Sequence, residues 1–302
     1  MTVNISAGLV KDLRERTGVG MMECKKALQE TSGDIDKAIL WLRERGLSRA
    51  AAKATRAASQ GMVDTFIGDG GRSAIAIEIN CETDFVANGD EFKKITGEIA
   101  RAALAANKED TDSINSLKLI STGRTVKESL AEMVARIGEN IQFRRAKIVT
   151  CLDGVIAGYV HAGGKIGTLV AISGGNDDAA MITAKDVAMH VAATSPRYLT
   201  SLDVPASEIE TEKELSRKKM LDEKKPPEII EKILTGQMQK FFKEICLFDQ
   251  PFVKNPDLSV SKYVSTISPN YKLNSFVRFG LGEGIEKKVT DFAAEVEAQL
   301  KK

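Results

Sequence analysis

The run His161-Ala162-Gly163-Gly164-Lys165-Ile166-Gly167-Thr168 puts glycines, a lysine and a threonine in an order that suggests a phosphate-cradling loop. Such a loop needs Gly-x-x-x-x-Gly-Lys followed directly by Ser or Thr, so that backbone N–H groups surround the phosphates and the hydroxyl meets magnesium. Here Ile166 follows Lys165 and Tyr159 stands where the first glycine belongs, so the run reads as a hairpin turn. Gly280-Leu281-Gly282-Glu283-Gly284 lacks three spaced glycines opening a helix after a strand, and reads as a loop. Direct nucleotide binding is not expected. No Gly-x-Ser-x-Gly occurs, and nothing in the sequence brings Cys81 or Cys151 to His161 as nucleophile and base. The cysteines Cys24, Cys81, Cys151 and Cys246 form no C-x-x-C pair, and the two histidines, His161 and His190, lie far apart. That excludes a sequence-local zinc site and argues against a disulfide framework. We expect no metal, no cofactor and no bond-making enzyme.

What remains is Asn80-Cys81-Glu82-Thr83-Asp84-Phe85-Val86-Ala87-Asn88, which joins a predicted strand to a predicted helix. An aromatic and a carboxylate share a connection where turn residues are the norm. Two readings stand. Phe85 can fold back into the core with Asp84 as a turn or cap residue, the ordinary expectation from composition, or the pair can be displayed to a partner.

The elements that must position this segment follow from periodicity. Ser6 to Gly46 reads as three short amphipathic helices, carrying Leu9, Val10 and Leu13, then Met21, Met22, Ala27 and Leu28, then Ile35, Ile39 and Leu42. Thr17-Gly18-Val19-Gly20 and Thr31-Ser32-Gly33-Asp34 separate them. The form resembles a ubiquitin-associated domain, and about 40 residues bury too little to be robust alone. Adjacent Met21 and Met22 cannot both face one small core, so one is expected on display. Residues 47–60 read as an alanine-rich helical linker whose Arg49, Lys53 and Arg56 form solvated surface.

Gly61 to Asn80 reads as a hairpin in which Ile75, Ile77 and Ile79 alternate, and a second copy begins at Gly154. Gly61 falls on Gly154, Val63 on Ile156, Phe66 on Tyr159 and Gly70-Gly71 on Gly163-Gly164, although the hydrophobic phase slips where Ile75 meets Thr168. Each hairpin is followed by a helical stretch, 89–106 and 179–193, and between the copies lie a polar connector, a helix from Thr125 to Ile137 and a strand from Ile141 to Thr150. Residues 206–245 read as a charged helical hairpin, a coiled coil whose second arm carries a seam of Ile230, Leu234, Met238, Phe241 and Ile245. A strand and a helix, Glu286 to Lys301, close the chain. The expected class is α+β: a three-helix module (1–46), the linker (47–60), two related core subdomains (61–140; 141–205 with 246–273), the protruding hairpin (206–245) and a C-terminal strand and helix module (274–302).

With 43 Lys and Arg against 42 Asp and Glu the net charge is +1, which disfavours partners gripped by bulk phosphate neutralisation, nucleic acid among them. No run of about 18 apolar residues offers a membrane span, and MTVNISAGLVKDLRER has early acidic residues and no apolar signal core. The expected location is a reducing cytoplasm, without membrane or organellar address.

TDFVAN after a strand, together with LVKDLRERTGVGMMECKKAL, VARIGENIQFRR, GYVHAGGKIGTLV, AMHVAATSP and FGLGEGIEKKVTDFAAEV, closely resembles the translation elongation factor Ts family over essentially the whole chain. The resemblance implies a guanine-nucleotide exchange factor for elongation factor Tu, a partner met both GDP-bound and nucleotide-free. It implies that Asp84 and Phe85 intrude on that partner's magnesium and switch region, flanked by Thr83 and Val86. Lys11, Arg14, Met21 and Met22 are implied contacts to the GTPase domain, with Ile137, Gly138 and His161 as further ones and the FAAEV helix reaching the same domain. A dimer of such heterodimers is a possible assembly, and the seam of the coiled coil reads first as a solvated antiparallel arm, with pairing of two copies as the alternative. Asn88-Gly89 departs from the family, which often has a charged residue after the DFVA signature. Two rivals are an adaptor acting through residues 1–60 and an RNA binder acting through the linker and the Lys-rich hairpin.

Overall fold

The computed structural model describes residues 5–68, 70–223 and 226–285. Three helices come first: α1 (Ala7–Thr17), α2 (Met21–Glu30) and α3 (Ile35–Lys53). Ser6 caps α1 by accepting the Leu9 amide at 3.2 Å, and Gly18, at φ 66°, ends it in the left-handed conformation that glycine adopts without Cβ strain. Asp34 opens α3 by accepting the Lys37 amide at 3.0 Å. Leu13, Cys24, Ala27, Leu28 and Ala38 meet in a small closed core.

The middle of the chain is two three-stranded antiparallel sheets. The first has order β1-β2-β3, from β1 (Gln60–Ile67), β2 (Ser73–Cys81) and β3 (Gln142–Thr150), with α4 (Asp84–Asn88), α5 (Asp90–Ala105), α6 (Thr111–Ser116) and α7 (Val126–Ile137) between β2 and β3. The second has order β4-β5-β8, from β4 (Gly154–His161), β5 (Ile166–Ser173) and β8 (Lys272–Gly280). Between β5 and β8 run α8 (Asp178–Thr194), a 3-10 turn, α9 (Ala206–Asp222), α10 (Pro227–Ile245), the short pair β6 (Pro251–Phe252) and β7 (Asn255–Ser259), and α11 (Val260–Ile267). This is an α+β arrangement.

The registers of the two sheets agree position for position. Gly61 lies opposite Asn80 and Phe66 opposite Ile75 in one, Gly154 opposite Ser173 and Tyr159 opposite Thr168 in the other. Both central strands carry an irregularity at the matching place, between Glu78 and Ile79 and between Ala171 and Ile172. A Cβ on Gly61 would sit 2.1 Å from the Ile79 carbonyl oxygen and one on Gly154 2.0 Å from that of Ile172, so the crossing strand excludes a side chain at both sites. The phase slip has a local cause: Thr168, fully buried, donates its hydroxyl to the Ala188 carbonyl of α8 at 2.9 Å, which lets a polar residue occupy a core position.

Hydrogen bonding moves two boundaries. β3, expected with the second subdomain, completes the first sheet, and β8, expected in the C-terminal module, completes the second. Sequence adjacency suggests the wrong neighbour in each case, because the third strand of each sheet arrives only after a helical insertion. The helix expected over Glu286 to Lys301 lies outside the described residues.

Where alternation predicts one wet face, β2 is buried on both. Ile75, Ile77 and Ile79 pack with Phe92, Ile99 and Val134 beneath the helices, and Ala74 and Ala76 meet Val63, Ile156, Leu169 and Ala171 of the second sheet. The small side chains on the inter-sheet face let the sheets approach. Glu78 is the polar exception. Fully buried, its carboxylate accepts from Arg144 Nη1 at 2.8 Å, Arg145 Nε at 2.6 Å, Asn80 Nδ2 at 3.1 Å and the Gly282 amide at 2.8 Å.

α3 does not end at Gly46; it continues to Lys53, so most of the expected linker is its second half. Gly46 is buried against α7, where its missing Cβ would lie 3.4 Å from the Ala135 Cβ. The glycine lies inside the helix, at its crossing with α7, rather than at a helix stop. In the hairpin, Ile230, Leu234 and Met238 of the seam are buried, and α10 packs along α9, with Met220 of the first arm joining Ile230 and Leu234.

Candidate functional site

β2 ends at Cys81, whose buried thiol donates to the Thr83 carbonyl at 3.1 Å. Thr83 is extended and caps α4, its hydroxyl oxygen accepting the Val86 amide at 3.4 Å. Its own amide and hydroxyl donate to the two oxygens of Glu139, at 3.0 and 2.6 Å. The single helical turn that follows is two-sided: Ala87 is buried and Val86 packs on the core, while Asp84 is exposed and Phe85 is 87% exposed. The ordinary reading of this segment is therefore overturned, because the cap is Thr83 rather than Asp84 and Phe85 does not enter the core. Gly89 ends α4 and starts α5; a Cβ there would stand 3.2 Å from the Val86 carbonyl oxygen, which gives the departure at Asn88-Gly89 a steric role.

The other side of the site is built from the end of α7. Gly138, at φ 89°, terminates that helix, and its carbonyl accepts from Lys53 Nζ. Ile137, next to it, is 38% exposed. The chain then runs through Glu139 to Asn140, whose amide donates to Glu82 Oε1 at 2.6 Å and whose side chain donates to the Arg56 carbonyl at 2.9 Å. Arg56 closes the circle with an ion pair to Glu82 at 3.6 Å. Arg136 pairs with Glu91, and a Cβ on Gly18 would lie 2.9 Å from its Cδ, so its stem reaches the three-helix module. Thr83, Val86, Ile137 and Gly138 are thus held in one junction. Sequence reasoning missed its struts, Glu82, Glu139, Asn140 and Arg56. A carboxylate just past a helix C-terminus, where cations are favoured, is the signal that points to Glu139.

Met21 is 50% and Met22 76% exposed, so both are on display rather than one, since α2 turns Cys24, Ala27 and Leu28 inward. Lys11 and Arg14 are exposed on the neighbouring α1. His161, exposed at the end of β4, sets Nδ1 2.8 Å from the Tyr159 hydroxyl. The glycine-rich run after it is a hairpin turn seated on β1: the Val63 amide donates to the Gly164 carbonyl at 2.7 Å. No hydrogen bond or ion pair among the described residues ties His161 or the Lys11, Arg14, Met21 and Met22 patch to the Phe85 turn.

All four thiols are free and buried, and burial pushes Cys81 up to about 12 and Cys246 to about 11, far from a reactive thiolate. Among the described residues no group of three or more His, Cys, Asp and Glu side chains could hold a metal ion, and no helix is long and apolar enough to cross a membrane. What the site offers is shape: an aromatic projected from an anchored turn.

Comparison with known proteins adds the lineage. The family model described as Elongation factor TS matches residues 82–283, which include the Phe85 turn, the α7 end and both hairpin arms. A curated relative, Elongation factor Ts of Clostridium novyi (strain NT), is 44% identical over 302 residues, spanning 98% of this chain and 99% of that protein.

Proposed function

The chain belongs to the elongation factor Ts family, and from that premise we propose that it binds GDP-bound elongation factor Tu and speeds the loss of GDP, leaving a nucleotide-free partner that GTP refills. The observation that carries this reading is the 87% exposure of Phe85 on a turn whose other face is anchored. A soluble fold gains nothing by displaying that ring; a wedge does. Release of GDP and rebinding of GTP change only noncovalent contacts, so in this reading the protein is an exchange factor and not an enzyme in the bond-making sense.

The physics of release lies in the partner. Magnesium demands near-ideal octahedral geometry and a phosphate loop holds its anion by aligned N–H groups, so small displacements are costly to nucleotide binding. Burying Phe85 on insertion supplies about 1.5–3 kcal/mol, one to two decades of weakened nucleotide affinity. Asp84 beside it adds a negative charge next to the phosphates. The remaining contacts hold the distorted partner: Lys11, Arg14, Met21 and Met22 on the three-helix module, Ile137 and Gly138 at the α7 end, and His161 at the β4 turn. Linkage requires that GDP weaken factor binding by the same ratio, which keeps the cycle reversible.

In this reading the units are the ubiquitin-associated-like helices to Lys53, two related core units each completed by a late third strand, and the hairpin 206–245 as an outlying arm. It acts in the cytoplasm, where its partner works. The test is release of a fluorescent GDP analogue from elongation factor Tu in magnesium buffer with excess unlabelled GDP. Marked acceleration at substoichiometric protein is expected; complex formation without acceleration refutes it and leaves a binding protein. An adaptor instead keeps full function in residues 1–60.

A further inference from the structure

We propose that Glu139 is a positioning residue for exchange: by accepting both the amide and the hydroxyl of Thr83 it fixes the turn that presents Phe85. The proposal rests on the exchange reading above and adds to it a residue that does not itself meet the wedge's target.

Three observations carry it. α4 is only five residues, Asp84–Asn88, far too short to be stable by its own hydrogen bonds, so its order must come from tertiary contacts. Burial of Val86 and Ala87 holds one side of the turn against the core, but apolar contact is non-directional and does not set how the turn is rotated. Direction comes from Thr83, the residue that caps the turn, and Glu139 takes both of its donors in a two-point grip at 3.0 and 2.6 Å. Bonds to an ionised acceptor are the short, strong class.

Glu139 is also poorly placed for its own element. It follows Gly138 at the C-terminal end of α7, where the helix dipole disfavours an anion. Its benefit lies across the gap, where it satisfies the amide and the hydroxyl of Thr83. The neighbouring Asn140 repeats the arrangement through its amide to Glu82, so two successive residues after Gly138 grip two successive residues before Asp84. The loop that carries Ile137 and the turn that carries Phe85 are thereby locked in register.

The experiment compares Glu139→Ala and Thr83→Val with the unaltered full chain in two readouts. Amide hydrogen exchange at Val86 and Ala87 is followed in the free protein, where no partner is needed. The maximal rate of fluorescent GDP release from elongation factor Tu is then measured at saturation, together with affinity for the GDP-bound partner, and repeated in a Phe85→Ala background. Loss of bonds to a charged acceptor corresponds to roughly tenfold in an ordering equilibrium. The expected result is amide exchange faster by about that factor, a maximal release rate lower by a similar factor, unchanged affinity for the GDP-bound partner, and no further loss once Phe85 is alanine. Unaltered amide exchange overturns the grip. Faster amide exchange with an unaltered release rate, or a loss that persists fully in the Phe85→Ala background, overturns the positioning role while exchange itself stands. No acceleration by the unaltered protein brings down the exchange reading and this proposal with it.

Discussion

Replacing Phe85 by alanine separates folding from function cleanly. The ring is 87% exposed in the free chain, so its removal forfeits almost no buried area and stability should change by less than about 0.5 kcal/mol. On insertion into a partner the same ring goes from water to contact, worth about 1.5–3 kcal/mol. If that contact is made chiefly in the nucleotide-releasing state, its whole value appears in the release step, as a maximal rate lower by about 10- to 100-fold. Affinity for GDP-bound elongation factor Tu should be unchanged, since the wedge is not yet seated. Stopped-flow release of a fluorescent GDP analogue at saturating variant reads the rate, and a urea titration of the free protein checks the fold. Phe85→Leu, which keeps much of the apolar area, should fall between the two. A Phe85→Ala protein that releases GDP at the unaltered maximal rate refutes the wedge.

Gly46→Ala should raise stability by about 0.5–1 kcal/mol, because the added Cβ meets the Ala135 Cβ at an ordinary 3.4 Å while the helix interior loses a glycine; Gly46→Val should lower it through overpacking, and urea midpoints decide both. Burial holds His190 below its ordinary 6.5, with its Nδ1 accepting the Val253 amide and its Nε2 at 2.9 Å from Gln250 Oε1. The unfolded chain therefore takes up a proton that the folded one refuses, so this group's contribution is full above pH 6.5 and is lost as pH falls toward the folded value. Thermal midpoints recorded from pH 7.5 down to about 5 should drop more steeply for the unaltered chain than for His190→Gln, and equal slopes would count against the assignment. Glu78→Ala should cost about 3 kcal/mol, the low end for breaking a buried ionic cluster, since Arg144 and Arg145 keep partial access to water; a loss under about 1 kcal/mol in urea titration shows that the cluster contributes little.

Local signals carried well in this chain. The breaks at Thr17-Gly18-Val19-Gly20 and Thr31-Ser32-Gly33-Asp34 mark helix ends that the structure keeps, with Gly18 left-handed and Asp34 as a cap, and the hairpin repeat was visible because Gly61 and Gly154 answer the same strand crossing. Failures came where tertiary contact overrode a local cue. Gly46 looks like a stop and is a crossing point; Thr168 looks like a broken phase and is a satisfied core hydroxyl. β3 and β8 find their sheets across long insertions, which no local pattern encodes. At the site, Phe85 was legible as unusual but its direction was not, since one helical turn offers both an inward and an outward path. The struts at Glu82 and Asn140 left no local signal, and the misplaced carboxylate that marks Glu139 does not name its partner, because these partners lie more than fifty residues away in sequence.

If both surfaces meet the partner as proposed, the unbroken run of α3 past Gly46 makes the chain a chelating ligand. That helix leads from the three-helix module, whose α2 carries the methionine patch, to the junction beside Thr83, where Asn140 holds the Ala54 and Arg56 carbonyls that follow its last turn. Two contact surfaces joined by such a strut do not search for their targets independently. Once one is seated, the other stands at an effective concentration set by geometry, which a matched span makes high and a mismatched one reduces to nearly nothing. Under the proposed function, the strut would let individually weak surfaces act together on one partner and would set the spacing that the partner must match before Phe85 reaches its mark.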